Sequence, residues 1–232
     1  VKISIVIPVL NEATVISSTL EKVFSLDGDY EMIVVDGGST DATLAKAVQC
    51  AEHCTRPVLV LSAPAGRAMQ MNFGARRANG DVLLFLHADT VLPRSALADI
   101  SKCLDSPAVV GGRFKVTLDQ DGWRYRTIAG CINLRDRVFR GFTGDQAIFV
   151  RRQVFDSIGG YREIALMEDL DLARRICRVG KAVQLSSRVT TSARRWQKNG
   201  IVRTILLMWC LRMLYVLGYP PSKLKRLYGD TR

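Results

Sequence analysis

With 232 residues the chain suits one domain of generous size, or one domain with a C-terminal extension. A hydrophobic share of 48% beside 24% charged residues is that of a folded globular protein, and no repeat or low-complexity segment interrupts it. The net charge of +11 is lopsided: residues 1–122 carry 11 basic and 14 acidic side chains, residues 123–232 carry 22 and 8. The second half is therefore expected to face something anionic: a membrane surface, a phosphorylated acceptor or nucleic acid.

The six cysteines form no Cys-x-x-Cys pair. Cys50-x-x-His53-Cys54 has no second ligand pair downstream, which argues against zinc and for reduced thiols in a cytosolic protein. The opening Val1-Lys-Ile-Ser-Ile reads as a strand rather than a signal peptide.

Residues 1–9 are apolar and β-branched and predict a first strand, broken at Pro8. Asn11-Glu12-Ala-Thr opens a helix in which Val15, Ile16, Leu20, Val23 and Phe24 keep helical spacing. A second strand over 31–35 ends in Asp36-Gly37-Gly38-Ser39-Thr40-Asp41. There the glycines permit a tight turn, and Ser39 or Thr40 can cap a helix over 41–53. A third strand over 57–62 precedes Ala65-Gly66-Arg67 and a helix through Arg77. The fourth, over 82–86, is short and wholly apolar, as a strand buried on both faces should be. Four such alternations predict parallel βαβ units with right-handed crossovers.

After Pro93 the pattern loosens. A helix is expected over 95–104, a strand over 109–118 containing Gly111-Gly112, and an arginine-rich helix over 123–140. A strand over 144–150 follows, then a helix from Arg151 stopped by Gly159-Gly160. Residues 167–176 predict an amphipathic helix with Glu168, Asp169 and Asp171 in its first turn. Two short strands, 182–185 and 189–192, lead to Arg194-Arg195-Trp196. Residues 201–217 form the most apolar helix, but Arg203 and Arg212 interrupt it and leave less than the roughly 20 residues a bilayer span needs. Nine positions apart, these arginines fall on opposite faces, which argues against a clean interfacial amphipath. Packing on the domain or on a second subunit is the expected role, with Lys223, Lys225 and Arg226 available to anionic headgroups.

The turns Pro8-Val-Leu-Asn11-Glu12 and Asp36 to Asp41 fall at the carboxyl ends of neighbouring strands, where open α/β sheets bind ligands. Neither a Gly-x-Gly-x-x-Gly fingerprint nor a P-loop is present. Carboxylates in place of glycines suit a base N–H and ribose hydroxyls, although Asp36 and Asp41 also read as helix caps. Arg67 reads as a phosphate ligand or as a surface arginine. His87 and Asp89, two positions apart after the fourth strand, would project to one side of an extended segment and share a Mg²⁺ or Mn²⁺ ion. An ordinary turn is the alternative.

Five pieces in order, Ser4 to Glu12, Val34 to Asp41, Gly66-Arg-Ala-Met-Gln-Met-Asn72, His87-Ala-Asp89 and Glu168-Asp169, resemble glycosyltransferase family 2 over residues 3 to about 196. The resemblance implies an α/β GT-A fold, with a mixed, mostly parallel sheet flanked by helices. Residues 1–92 would form the nucleotide-binding half, 93–196 the acceptor half, and 197–232 a helical extension. It further implies transfer of a sugar from a nucleoside-diphosphate sugar, a UDP-sugar first of all, to an acceptor hydroxyl, assisted by Mn²⁺ or Mg²⁺. On this resemblance Pro8, Asn11, Glu12, Asp36, Gly66, Arg67, Asn72, His87 and Asp89 hold the donor. Asp89 and His87 hold the metal, Asp169 is the base with Glu168 beside it, and Asp145, Arg195 and Trp196 serve the acceptor or a lid.

Two departures from the family pattern matter. The usual Asp-x-Asp is His87-Ala-Asp89, which removes a negative charge from the metal position. Ser192-Ala-Arg-Arg195-Trp196 is similar to the Gln-x-x-Arg-Trp motif of processive synthases, but lacks the Gln and their spanning helices. An inverting, non-processive transfer is expected, with a lipid-linked or anionic acceptor and peripheral contact at the inner face of a membrane. A homodimer through the C-terminal helix is a further expectation, and nucleic acid is not an expected partner. Two other readings compete. A nucleotidyltransferase wants a glycine-rich basic loop after its first strand, where Asn11-Glu12-Ala13 stand; a basic membrane- or nucleic-acid-binding module would carry a vestigial nucleotide site.

Overall fold

The computed structural model describes residues 1–54, 56–139 and 141–228. The first half runs β1 (Ile3–Val9), α1 (Ile16–Phe24), β2 (Tyr30–Asp36), α2 (Thr43–Glu52), β3 (Val58–Ser62), α3 (Arg67–Arg77) and β4 (Val82–Phe85). The second runs β5 (Thr90–Val91), α4 (Ala96–Leu104), β6 (Val109–Leu118), α5 (Trp123–Phe139), β7 (Ile148–Arg151), α6 (Arg152–Ser157), α7 (Glu168–Val179) and β8 (Lys181–Thr191). Then come α8 (Arg194–Asn199), α9 (Ile201–Val216) and α10 (Pro221–Tyr228). Arg140, the last residue expected in the arginine-rich helix, and residues 229–232 lie outside the described residues.

One eight-stranded sheet has the order β3-β2-β1-β4-β7-β6-β8-β5. β1, β2, β3 and β4 are parallel, β7 joins antiparallel to both β4 and β6, β6 and β8 are parallel, and β5 closes the far edge antiparallel. In β1 the side chains alternate between two cores. Ile3, Ile5, Ile7 and Val9 meet Ile16, Leu20 and Val23 of α1 and Leu97 and Ile100 of α4 on one face. Val6 meets Ala68, Met71 and Ala75 of α3, with Leu172 and Ile176 of α7 in the same core, on the other. Both faces are thus covered, as parallel strands require. Each large apolar side chain so buried contributes about 1.5–3 kcal/mol.

Pro8 does not break β1. Its ladder with β4 ends at Val6↔Phe85, while that with β2 continues to Val9↔Asp36. The missing N–H therefore falls where one side of the strand is already unpaired. The strand expected over 144–150 begins only at Ile148, because Gly144–Gln146 is a 3₁₀ turn. The two short strands expected over 182–185 and 189–192 are one strand, β8. A register shift between Arg113↔Gln184 and Lys115↔Arg188 carries the strand through 186–188, which read as a break.

Gly111 and Gly112 sit where β6 is squeezed between β7 and β8. A Cβ would come within 2.6 Å of the Phe149 carbonyl oxygen at Gly111, and within 2.3 Å of the Val183 oxygen at Gly112. At the other end of the chain, Leu211 of α9 and Leu224 of α10 are fully buried against Met167 and Leu170. α9 therefore packs on the domain, as expected, beside the start of α7. Among the described residues no helix is long and apolar enough to cross a membrane.

Candidate active site

Two βα turns are stitched together at the carboxyl ends of β1 and β2. Asn11, at φ 53°, accepts from the Thr40 N–H at 2.9 Å through Oδ1, and its own N–H donates to Ser39 Oγ at 2.9 Å. The Glu12 N–H donates to Thr43 Oγ1 at 2.8 Å, and the Ala13 N–H donates to Asp41 at 3.2 Å. Asp41 also accepts from the Thr43 N–H at 3.0 Å at the start of α2, the capping role the sequence offered to Asp41 as well as to Ser39 or Thr40. Asp36 is 2% exposed, and it accepts from the Gly38 and Ser39 N–H groups at 2.9 and 3.0 Å and from the Ser39 hydroxyl. Gln70 of α3 ties the two strands from behind, donating to the Val9 and Val35 carbonyls at 2.8 Å each. Pro8 is buried within β1, and Gly66, at φ 147°, starts α3.

Asn72 uses both ends of its amide on the Tyr161 backbone, with two bonds of 2.8 Å. It holds the segment that leads into α7 rather than offering an amide to the crevice. His87 and Asp89 do not share an extended segment. Residues 87–90 turn, with the Thr90 N–H donating to the His87 carbonyl at 3.0 Å. The His87 ring packs on Gly144, where an added Cβ would lie 2.4 Å from Nε2. Asp89 points elsewhere: Oδ2 lies 3.2 Å from Nη2 of Arg194.

That same Arg194 nitrogen is 3.2 Å from Oε2 of Glu12, whose side chain is buried. Arg194 was missed in the sequence because the Arg195-Trp196 pair drew attention one residue too far. Arg195 instead lies over the Tyr228 ring, 3.8 Å from its centroid, and Trp196 packs with Leu118, Ile128 and Ala193.

Across the crevice Arg67 pairs with the buried Glu168 at 3.2 Å and stands within electrostatic reach of Asp169, Asp89 and Tyr228. Burial pushes the Glu168 carboxyl above its ordinary range, against the pull of Arg67. Asp169, at the N-terminus of α7, accepts from the Gly144 N–H at 2.9 Å and the Leu170 N–H at 2.7 Å. Asp171 in the same turn is committed to Arg175 at 2.7 Å and Arg162 at 3.2 Å. Asp145 accepts from the Thr143 hydroxyl beside Gly144. Burial raises the Tyr161 and Tyr228 hydroxyls as well.

Among the described residues, the non-glycine residues at positive φ are Asn11, Ala147 and Met167, next to Glu12, in the Asp145 turn and just before Glu168. Strain of this kind, of order 1–3 kcal/mol each, collects where a site is held in a special geometry.

Acids and arginines from both halves of the α/β sheet thus gather over its carboxyl edge. The family model described as glycosyl transferase family 2 matches residues 4–163, and the chain belongs to that family. A PGL/p-HBAD biosynthesis glycosyltransferase of Mycobacterium bovis (strain BCG / Pasteur 1173P2) is 34% identical over 165 residues, covering 68% of this chain and 62% of that protein. The beta-monoglucosyldiacylglycerol synthase of Synechocystis sp. is 25% identical over 191 residues, covering 75% and 40%. The chain thus spans less than two thirds of the length of these relatives. Among solved structures, a mannosyltransferase from Pyrobaculum calidifontis in complex with GDP-Man and Mn²⁺ superposes with a TM-score of 0.66 at 21% identity, over 90% of this chain and 64% of that one. Staphylococcus aureus TarS with UDP-GlcNAc gives 0.66 at 18%, over 83% and 58%. These likenesses show the GT-A fold.

Proposed function

We propose that the protein transfers a glycosyl group from a nucleoside-diphosphate sugar, first of all a UDP-sugar, to the hydroxyl of a lipid-borne acceptor, one sugar at a time and with inversion. The observation that carries this reading is the ion pair of Arg67 with the buried Glu168, which joins the two halves of a family 2 fold next to Asp169 at the start of α7. Family membership favours it over a nucleotidyltransferase.

The stitched turns at Asn11, Glu12 and Asp36 form the nucleoside's edge, closed behind by Gln70. The donor set fits a hard divalent cation, since Mg²⁺ and Mn²⁺ are commonly held by one or two carboxylates together with substrate phosphates, and Asp89 with Glu12 beside it provides them. Bound there, such an ion offsets charge on the departing diphosphate. Arg67, steadied by Glu168, faces the same charge. Asp169 takes the proton as the acceptor oxygen bonds to the anomeric carbon. The bond from that carbon to the diphosphate breaks, and its electron pair leaves with the nucleotide. The backbone N–H groups of Gly144 and Leu170 orient the Asp169 carboxylate for this step.

The acceptor class is read from α9 and α10, which pack on Met167 and Leu170 at the start of α7. Val202, Leu206, Trp209, Met213 and Val216, spaced four, three, four and three, are all exposed on the outer face of α9. Residues 172–229 hold thirteen basic side chains and no acid. An apolar stripe within such a charge field suits an anionic lipid surface beside the base. The relative named as a beta-monoglucosyldiacylglycerol synthase agrees with this.

The test is release of nucleoside diphosphate across a panel of nucleotide-sugars, with and without Mn²⁺ and with lipid-extract vesicles. The reading expects metal-dependent release from one donor, stimulated by vesicles. No release from any donor under any of these conditions would overturn it.

A further inference from the structure

Arg194 reaches across the crevice from α8 to two carboxylates that come from different loops. Glu12 belongs to the turn after β1 and Asp89 to the turn after β4, yet both stand 3.2 Å from one guanidinium nitrogen. The arginine is well anchored at its base. The Ala193 N–H donates to Asp119 at 2.7 Å, Ala193 is fully buried, and Ser192 Oγ accepts from both the N–H and the Nε of Arg194 at 3.2 Å. Its tip is not locked, for the side chain is 51% exposed while that of Glu12 is 5% exposed. A buried carboxylate beside a second one demands a positive charge, and leaving the pair uncompensated is strongly unfavourable. In the structure that charge is the guanidinium of Arg194.

We propose that Arg194 is an exchangeable internal cation. It holds the Glu12–Asp89 position while the site is free of donor, gives up Asp89 to the divalent metal, and moves its guanidinium onto the donor's diphosphate. This rests on the nucleotide-sugar reading above and adds to it a coupling between metal and nucleotide. The chemistry favours the exchange in both directions. A hard divalent cation prefers carboxylate and phosphate oxygens, whereas a guanidinium makes paired hydrogen bonds to phosphate that a point charge cannot make. Metal alone must take Asp89 from Arg194 and sit beside a guanidinium still paired with Glu12, so the two positive charges repel and it binds weakly. Nucleoside diphosphate gives the arginine a new partner and frees Asp89, so each ligand tightens the other by the same factor.

The experiment titrates Mn²⁺ into the full chain by electron paramagnetic resonance, which reads free Mn²⁺, with no nucleotide and with saturating UDP or GDP. The parent, R194A and R194K are compared, with thermal unfolding to verify the fold of each. In the parent, nucleotide should tighten Mn²⁺ about tenfold, within the usual 5–150-fold range of coupling. R194A should bind Mn²⁺ alone several-fold more tightly than the parent, with the coupling reduced to about threefold or less. R194K keeps a charge for the two acids but not the paired hydrogen bonds. It should bind Mn²⁺ alone as weakly as the parent and still lose most of the coupling. If the parent couples Mn²⁺ to nucleotide and R194A and R194K couple equally well, Arg194 has no such role, while the nucleotide site stands. If the parent shows no coupling with either nucleotide, the nucleotide-sugar reading fails, and the exchange fails with it.

Discussion

The Gly144 N–H donates to Asp169 Oδ2 at 2.9 Å, so the turn before β7 aims the carboxylate at the start of α7. An asparagine at 169 still accepts from Gly144 through its amide oxygen but cannot take a proton from a hydroxyl. Asp169→Asn should therefore bind nucleotide and Mn²⁺ as the parent does, while turnover falls by about 10²–10⁴-fold. Calorimetry paired with a nucleoside-diphosphate release assay reads both. Normal turnover would remove Asp169 as the base and leave Asp145 as the next group to examine.

Glu168 makes stability depend on pH in a stated direction. Because burial raises its folded value, the unfolded chain ionises first as pH increases. Its contribution is complete below the ordinary carboxyl range and declines as pH climbs through the raised folded value. Glu168→Gln has no such decline. Urea midpoints at pH 4, 6 and 8 should show the variant gaining on the parent with increasing pH; a gap that narrows would contradict the assignment.

The Tyr161 hydroxyl is buried without a hydrogen-bond partner among the described residues, while its ring packs on Phe85 at 4.9 Å and Phe155 at 5.9 Å. Removing that oxygen leaves the ring contacts intact. Tyr161→Phe should raise stability by about 1 kcal/mol, the scale of an unsatisfied buried polar group. A lower denaturant midpoint would mean that the hydroxyl finds a partner in solution.

Asp36 organises its turn through two backbone N–H groups and the Ser39 hydroxyl. Asp36→Ala leaves those donors unsatisfied and should cost about 1–3 kcal/mol of stability. Nucleotide affinity should fall as well, most for UDP, if the nucleoside sits on this turn. Titration of the variant with UDP, GDP and ADP separates the two effects, and equal losses for all three would assign Asp36 to the turn alone.

For the outer face of α9, Leu206→Glu and Trp209→Glu place charges within the exposed stripe and touch no described core contact. Both should abolish sedimentation with anionic vesicles at low salt while leaving the unfolding temperature unchanged. Parent binding should weaken as salt screens the basic residues. Unchanged sedimentation of both variants would place the contact elsewhere on the molecule.

Strands β1, β2 and β4 were legible because each is an apolar run covered on both faces, and β3, at the sheet edge with Leu59 exposed, because its composition is apolar all the same. Asp41, Asn11 and Glu168 were legible as turn and helix-start residues for a similar reason: turns after strands and helix starts carry local signatures. What stayed hidden depends on residues far apart in the chain. The 87–90 turn sends His87 toward Gly144 and Asp89 toward Arg194, 105 residues away. The Asn72 amide is taken by Tyr161, 89 residues on. The continuity of β8 depends on a register shift against β6 that no pattern within 182–192 reveals.

The paired glycines of β6 bear on how this molecule could be re-engineered. At Gly111 and Gly112 the obstructing atoms include the carbonyl oxygens of Phe149 and Val183, and backbone cannot rotate aside as a side chain does. The strands they touch, β7 and β8, flank the chain's passage from the first half of the sheet to the second. A chimera that grafts a foreign second half onto residues 1–92 would need to import β6, β7 and β8 as one cassette. Strand-by-strand exchange would set a Cβ against a carbonyl and open the sheet at its middle.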